Sequence, residues 1–223
     1  MNELRSRLES EGIEERFLEP LTRYAELLLE ANRRFNLTGA KNMAELTPHI
    51  LDSLTLRPFI EKSHVDIGSG GGLPAIPLAI VTGVPVTMIE TTLKKARFLE
   101  QMLAEFGLQG EVVAERAEVA AHDPRLRGAF HTGTARAVSS APTVAELLLP
   151  FIEIGGRVVL QRGSMDERET NALTDASLML GGKVERLDRL HGQKRLIFVE
   201  KTERTPEKYP RRVGVPEKKP LCF

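Results

Sequence analysis

Residues 64–79 read HVDIGSGGGLPAIPLA, in which a short apolar run is followed by glycines and then by an apolar helical run. A strand that enters a glycine-rich loop and then a helix is a ligand-binding device. Glycine lets the backbone approach a ligand, and the start of a helix offers free N–H groups. The next apolar run, VPVTMIE (84–90), ends in Glu90, at the distance where an acidic side chain meets ribose hydroxyls. Together these segments predict a nucleotide-binding site.

Strands and helices alternate outward from this loop. Helical apolar stripes are predicted at 17–35, 44–59, 73–81, 93–106, 142–149 and 164–180. Further strands are predicted at 111–115, within 128–138 and at 155–163, and a terminal hairpin with a glycine-containing turn at 184–190 and 195–201. This alternation predicts an α/β fold with a doubly wound, mostly parallel sheet and an antiparallel C-terminal hairpin.

Composition excludes several classes of protein. Lys+Arg and Asp+Glu both total 31 of 223 residues, so a nucleic-acid surface must be local. Cys222 is the only cysteine and the five histidines lack metal-ligand spacing, so we expect neither disulfides nor a metal. The first residues are too charged for a signal peptide, and apolar runs of about 18 residues are lacking. We expect a cytoplasmic monomer that does not enter a membrane.

The glycines alone are compatible with two nucleotide ligands. Gly70, Gly72 and Ala75 satisfy the dinucleotide fingerprint with alanine in last place, which is typical of NAD-binding proteins. The run already begins at Gly68, however, and Gly68-x-Gly70-x-Gly72 resembles the first motif of class I methyltransferases. An oxidoreductase would also need a substrate domain and a proton donor, and neither is evident in the sequence. A degenerate fold that binds RNA without catalysis is a further alternative.

Other segments make the resemblance more specific. The chain resembles the RsmG (GidB) family, bacterial methyltransferases that modify guanine N7 in small-subunit ribosomal RNA. The matching segments are NLTGAKN (36–42), HILDSL (49–54), VDIGSGGGLPAIPLA (65–79), IETTLKKARFL (89–99), ERAE (115–118), TARAV (134–138), the RG at 162–163 and RRVGVPEKKPL (211–221). They extend over nearly the whole chain.

The resemblance implies a class I methyltransferase, Rossmann-like, with S-adenosylmethionine as methyl donor. It implies a helical N-terminal extension (1–60), a donor-binding methyltransferase domain (61–203) and a basic C-terminal tail (204–223) within one structural domain. Glu90 is expected to bind the donor's ribose, with Ala117 and Glu118 near its adenine. The other residues expected at the donor are Asp66, Gly68, Ser69, Gly70, Gly72, Leu73 and Arg136.

Arg136 matches an arginine at the family's donor and substrate site and is the expected catalytic residue, acting on the donor, the substrate or both. Strand order in such folds brings strands one and four together at the topological switch point, so Arg136 is expected to face the glycine loop. Guanine N7 carries a lone pair and no proton, so positioning and electrostatics can carry the transfer without a general base. The segment TARAVSSAP (134–142) also lacks the Asn/Asp-Pro-Pro-aromatic loop typical of adenine amino-group methylation.

The implied substrate is 16S ribosomal RNA, at a guanine in the 530 loop, within the 30S subunit or an assembly intermediate. Another RNA or a small molecule is the alternative substrate. Candidate substrate-side residues are Asn36, His49, Asp52, Arg162, Arg211, Arg212 and Lys219. Basic clusters that can supply phosphate contacts are Arg33-Arg34, Lys94-Lys95 with Arg97, and the tail.

The chain departs from the family pattern at three positions. The family usually has glycine at Ala75, aspartate at His131 and lysine at Arg162. Alanine still permits close packing of helix on strand. The missing acid at His131 weakens any assignment of base chemistry to that position.

Overall fold

The computed structural model describes residues 3–136, 139–189 and 195–223. Its strands are β1 (His64–Ile67), β2 (Val86–Ile89), β3 (Gly110–Val113), β4 (Phe130–Ala135), β5 (Ile152–Arg162), β6 (Gly182–Arg189) and β7 (Arg195–Lys201). They form one sheet in the order β3-β2-β1-β4-β5-β7-β6, in which β7 runs antiparallel to both neighbours and the other pairs are parallel. The predicted doubly wound sheet with its antiparallel hairpin is confirmed.

Helices cover both faces of this sheet. They are α1 (Glu3–Ser10), α2 (Glu15–Asn32), α3 (Met43–Leu54), α4 (Ala75–Thr82), α5 (Leu93–Glu105), α6 (Ala117–Ala120), α7 (Ala141–Leu148), α8 (Glu167–Met179) and α9 (Val215–Lys218), with 3₁₀ turns at Arg57–Phe59 and Leu149–Phe151. The first three share an apolar core with α4 and α5, whereas α7 and α8 share one with the other face. Among the described residues, no helix is long and apolar enough to cross a membrane.

Several predicted boundaries differ from the structure, such as that of the helix predicted at 44–59, which ends at Leu54. Strand β5 begins at Ile152 instead of residue 155, because its first residue already pairs with Phe130 ahead of an irregularity in the β4–β5 register. Strand β3 ends at Val113, two residues early, and its last carbonyl accepts a hydrogen bond from the backbone of Glu90. The predicted hairpin turn lies outside the described residues.

The pairing of β1 with β4 defines the place where a ligand can bind. Ile67 is opposite Ala135 in this parallel pair, so Gly68 and Arg136 leave the sheet side by side. On the other side of β1, the chain turns toward β2, which gives the crevice typical of a topological switch point. The fold thus brings the glycine loop and Arg136 to the same edge.

Helix α2 packs against this edge through one apolar face. Leu21, Tyr24, Ala25 and Leu28 recur at steps of three, one and three residues and are fully buried. The Tyr24 hydroxyl donates a hydrogen bond of 2.7 Å to the carbonyl of Gly71. The N-terminal helices therefore support the glycine loop directly.

The basic C-terminal tail (204–223) folds back against the domain. Its Tyr209 and Leu221 are buried. The Arg211 guanidinium forms a bidentate pair with Glu146, a fully buried carboxylate on α7, with Nε–Oε1 and Nη2–Oε2 distances of 2.9 and 2.7 Å. The Arg211 backbone N–H also donates to Glu146. Arg211 thus ties the tail to α7, and its expected RNA contact stays a prediction.

Replacing Arg211→Met will destabilise the fold strongly, because the buried carboxylate of Glu146 then loses its charged partner and keeps only the backbone N–H of residue 211. We expect a loss of about 3–5 kcal/mol in the free energy of unfolding, measured by chemical denaturation. The double variant Glu146→Gln/Arg211→Met will recover part of the loss, and the exposed neighbour Arg212→Met serves as control. Equal stability of Arg211→Met and Arg212→Met would contradict this role.

Candidate active site

The glycine loop owes its shape to backbone conformations that other residues avoid. Gly68, Gly70 and Gly72 have φ angles of 65°, 56° and 92°. Side chains disfavour this left-handed region, which explains the alternating spacing of the three glycines. A Cβ at Gly72 would also lie 2.6 Å from Ile76 Cγ1. The loop therefore packs tightly on the start of α4.

Glu90 joins this loop to the turn after β2. Its Oε2 accepts a hydrogen bond of 2.9 Å from the Gly70 N–H, and its Oε1 accepts one of 2.8 Å from the Thr92 N–H. The side chain is buried, and each carboxylate oxygen keeps a further lone pair. Glu90 thus holds the loop in place and can still accept hydrogen bonds from a ligand.

A second organiser, which the sequence did not single out, is Asn32 at the end of α2. Its Oδ1 accepts hydrogen bonds from the N–H groups of Leu37 and Thr38, and its Nδ2 donates to the carbonyl of Ala40. Leu37 in turn packs against the glycine loop, since its carbonyl lies 3.0 Å from a Cβ built at Gly71. The expected substrate residue Asn36 is exposed in the segment that Asn32 holds.

A buried polar chain crosses from β4 to β1 just before the loop. The Thr134 hydroxyl donates to Asp66 Oδ1 at 2.6 Å and lies 2.7 Å from His64 Nε2. Asp66 Oδ2 is buried without a hydrogen-bond partner. Burial raises the pKa of Asp66 to about 7, against the opposing effects of the Thr134 hydrogen bond and the Arg136 charge. Burial also lowers the pKa of His64 to about 3, so its imidazole is neutral.

Arg136 lies between the sheet edge and the N-terminal helices. Its Nη1 donates a hydrogen bond of 3.1 Å to the carbonyl of His49 on α3. Partial burial lowers the pKa of Arg136, while the nearby Tyr24, Asp52 and Asp66 act in the opposite direction. A guanidinium stays protonated in proteins and has five N–H donors, so it retains donors for a ligand. The His49 carbonyl and Asp52 thus lie near Arg136.

A cavity of about 240 Å³ opens at the carboxyl ends of the strands. Gly68, Ala117 and Glu118 line it, as expected. The remaining lining residues are Ile67, Ile89, Thr91, Glu115, Arg116, Ser139, Thr143, Leu147 and Glu217. The other residues expected at the donor are not among its lining residues: Asp66, Ser69, Gly70, Gly72, Leu73, Glu90 and Arg136.

The tail forms one side of this cavity, which the sequence did not indicate. Glu217 lies on α9, and the N–H of Gly214 before it donates to Glu118 Oε1 at 2.9 Å. The Thr143 hydroxyl holds the same turn through a 3.0 Å hydrogen bond to the Pro216 carbonyl. The tail therefore completes the site through packing, and its exposed Arg212 and Lys219 lie on the outer surface.

Arg162 is a clamp on the loop that follows β4. Its guanidinium donates to the Ser139 carbonyl and forms a 2.8 Å ion pair with Glu169. Glu169 also accepts from the N–H of Ala141 at the start of α7. Arg162 thus helps to shape a wall of the cavity, and its expected contact with substrate stays a prediction.

His131 lies at the opposite end of β4 from Arg136. Its Nδ1 is 2.8 Å from Glu153 Oε1, and its Nε2 is 3.6 Å from Glu61 Oε2. The position therefore lies at the far edge of the sheet from the glycine loop, and no base chemistry at the site is assigned to it. Within the described ranges, no group of three or more acidic, histidine or cysteine residues can hold a metal.

Solved structures show the same fold. Ribosomal protein L11 methylase from Lactobacillus delbrueckii subsp. bulgaricus matches with a TM-score of 0.53 at 15% identity, over 74% of this chain and 81% of that one. The transferase PH0793 from Pyrococcus horikoshii, described as putative, matches with a TM-score of 0.56 at 13% identity, over 69% and 64%. The sheet order, the glycine loop after β1 and the acid after β2 define the class I methyltransferase fold.

The sequence comparisons identify the family within this class. Residues 18–198 match the family model GidB, rRNA small subunit methyltransferase G. The relatives named ribosomal RNA small subunit methyltransferase G include one from Synechococcus elongatus (40% identical; 87% of this chain, 86% of the relative) and one from Rubrobacter xylanophilus (39% identical; 90% and 82%). This chain belongs to the rRNA small subunit methyltransferase G family. The match confirms the resemblance seen in the sequence. Because that family uses S-adenosylmethionine, the alternative of a nicotinamide cofactor is excluded.

The burial of Asp66 predicts a pH-dependent stability. Its pKa is raised from 3.8 to about 7 in the folded protein, so folding takes up a proton between those values, and the associated stability is lost as the pH rises through 7. The free energy of unfolding of the wild type, relative to Asp66→Asn, will fall by up to about 4 kcal/mol between pH 4 and 8.

Denaturation at several pH values measures this difference, and subtracting the variant removes the opposite contribution of His64 that both proteins share. Asp175→Asn, at an exposed aspartate on α8, is the control. If the curves for the wild type and Asp66→Asn run parallel across this range, the carboxyl of Asp66 is ionised in the folded protein and the prediction is wrong.

Proposed function

We propose that this protein transfers the methyl group of S-adenosylmethionine to guanine N7 in 16S ribosomal RNA, at the 530 loop that the family resemblance implies. The observation that carries the proposal is the juxtaposition of the Glu90-held glycine loop with Arg136 across the β1–β4 crevice. Family membership supports ribosomal RNA as the substrate class.

The residues present fit the methyl donor. Asp66 Oδ2, a buried acceptor without a partner beside the loop, suits the donor's α-ammonium group. The spare lone pairs of Glu90 suit ribose hydroxyls, and the apolar walls Ile67, Ile89 and Leu147 suit an adenine ring. When bound, S-adenosylmethionine supplies an electrophilic methyl group on its sulfonium.

The chain's own task is to position the guanine. N7 has a lone pair and no proton, so none of the side chains has to remove one. Arg136 holds the base through O6 or an adjacent phosphate, since a donor on N7 would occupy the attacking lone pair. The His49 carbonyl and Asp52 on α3 orient its guanidinium, and Tyr24 fixes the loop beneath it.

We also propose the finer context of this reaction. The protein acts in the cytoplasm as a monomer, on the 30S subunit or an assembly intermediate. The extension over 1–60 and the tail over 204–223 form one structural unit with 61–203, because α2 supports the glycine loop and the tail lines the cavity.

The deciding experiment is methyl transfer from labelled S-adenosylmethionine to 30S subunits from a strain that lacks the gene, with wild-type subunits as control. Label recovered as N7-methylguanine in 16S RNA, only with the unmodified subunits, supports donor, substrate and product together. Tight donor binding without transfer would overturn the substrate, and absence of donor binding would overturn the proposal as a whole.

Replacing Arg136→Ala will lower kcat/KM for RNA by about 100-fold or more, because the guanine loses its positioning donor. Arg136→Lys keeps the positive charge but lacks the planar guanidinium, so its kcat/KM will lie between those of the wild type and Arg136→Ala. Methyl transfer to 30S subunits under single-turnover conditions measures the effect, and Arg125→Ala on the exposed surface is the control. Undiminished turnover of Arg136→Ala would remove this assignment.

Replacing Glu90→Gln will weaken S-adenosylmethionine binding by about 10–100-fold. A glutamine has one acceptor oxygen, whereas Glu90 accepts from both the Gly70 and Thr92 N–H groups, so the loop loses one of its two anchors. Isothermal calorimetry gives the affinity, and Glu100→Gln on the exposed side of α5 is the matched control. An affinity equal to that of the control would show that Glu90 neither anchors the loop nor contacts the donor.

A further inference from the structure

Two basic clusters that lie about sixty residues apart in the sequence meet in one groove. It runs between the end of α2 and the first turns of α5 and encloses about 460 Å³. Arg34 comes from the first cluster, and Lys94 and Arg97 come from the second. Taken singly, each cluster resembles an ordinary solvated surface, and their convergence is a property of the fold. We call this feature the α2–α5 groove.

The charge of the α2–α5 groove is not balanced locally. Arg34, Lys94 and Arg97 are exposed, and in the part of the chain that the structure describes none has a carboxylate within 4 Å. Glu30 is the acidic residue among the lining residues. Farther along, the same two helices are joined by the Arg23–Glu105 ion pair at 3.4 Å. The positive charge therefore collects at the end nearest the active site.

The floor of the groove is apolar and partly aromatic. It consists of Leu27, Ala31, Phe35, Phe98 and Met102, of which the first three are half-buried. Lys94 Nζ lies 5.8 Å from the centre of the Phe35 ring. Cationic side chains around an accessible aromatic ring are the combination by which proteins hold single-stranded RNA, with phosphates on the cations and bases against the ring.

The groove and the donor cavity have lining residues only three positions apart in the chain. Thr91 lines the cavity and Lys94 lines the groove, and between them Leu93 exposes 62% of its surface. From the other side, Phe35 lies two residues before Leu37, whose carbonyl packs on the glycine loop. A strand lying in the groove would thus reach the loop where the methyl donor binds.

We propose that the α2–α5 groove binds the single-stranded RNA that flanks the target nucleotide. Arg34, Lys94 and Arg97 contact successive phosphates, and the Phe35 ring receives a base. This inference rests on the proposed function, which names RNA as the substrate, and adds the surface that holds it. Charge and an apolar floor near the reacting centre favour RNA over a protein partner, which the experiment separates.

The test measures binding of unmodified, in vitro transcribed 16S RNA over a range of salt concentrations. The triple variant Arg34→Gln/Lys94→Gln/Arg97→Gln will bind at least about tenfold more weakly, with a salt slope shallower by about two, since each phosphate contact on a single strand contributes about 0.7. Phe35→Leu, which keeps an apolar side chain without a stacking face, will lose roughly tenfold in affinity at an unchanged salt slope.

The matched control removes three exposed cations at the amino end of the sheet, with Lys62→Gln, Lys183→Gln and Arg204→Gln combined. S-adenosylmethionine affinity and circular dichroism, unchanged in all variants, show that fold and donor site are intact. Equal RNA affinity and slope for the groove and control variants overturn the proposal. The proposal is also overturned if the groove variant binds naked RNA normally and loses only its binding to 30S subunits. In that case the groove binds a ribosomal protein.

Failure of the proposed function has a different signature. A wild-type protein that binds 16S RNA through the groove but leaves unmodified 30S subunits unmethylated overturns the proposed reaction and supports the groove. In the converse outcome, the wild type methylates 30S subunits and the groove variant does so with the same kcat/KM. That result supports the proposed reaction and overturns the role of the groove.

Discussion

The backbone of the glycine loop is the constraint on which the rest of this molecule depends. Three alternating glycines take left-handed conformations, and a loop of this kind needs groups that hold it in place. The carboxylate of Glu90, which follows β2, accepts a hydrogen bond from the Gly70 N–H. The hydroxyl of Tyr24 on α2 donates a hydrogen bond to the Gly71 carbonyl. The loop is thus fixed from the sheet and from the N-terminal helices, and both must fold for the site to exist.

This arrangement has an electrostatic consequence. Closing the crevice with α2 removes water from the end of β1, where Asp66 ends up buried with one oxygen lacking a partner. A buried carboxyl group without compensation favours its neutral form, and its pKa is raised accordingly. A buried polar atom without a hydrogen-bond partner and a shifted pKa are both typical of ligand-binding sites. The Thr134 hydroxyl ties the same carboxyl to β4, where Arg136 follows two residues later.

The two ends of the chain complete the site from opposite sides. Helix α3 brings the His49 carbonyl to Arg136, so the N-terminal extension orients the expected catalytic group. The tail, held by Arg211 on the buried carboxylate of Glu146, brings Glu217 to the wall of the cavity at the carboxyl ends of the strands. Neither segment belongs to the doubly wound sheet, but both form part of the site that the sheet positions.

The sequence by itself determined the fold class, the strand order expected at the switch point, and the loop residues Gly68, Gly70 and Gly72 with Glu90. The fold class and the loop follow from local rules, since strand and helix periodicity and the backbone freedom of glycine act within a few residues, and the strand order follows from the topology common to such folds. Tertiary structure decided that Arg211 binds Glu146, 65 residues away, and that Arg162 clamps a loop. It also decided that the basic clusters of α2 and α5 share a groove. Such contacts depend on how helices pack in three dimensions. The sequence alone does not show whether the partner of a charged side chain is a buried carboxylate, water or RNA.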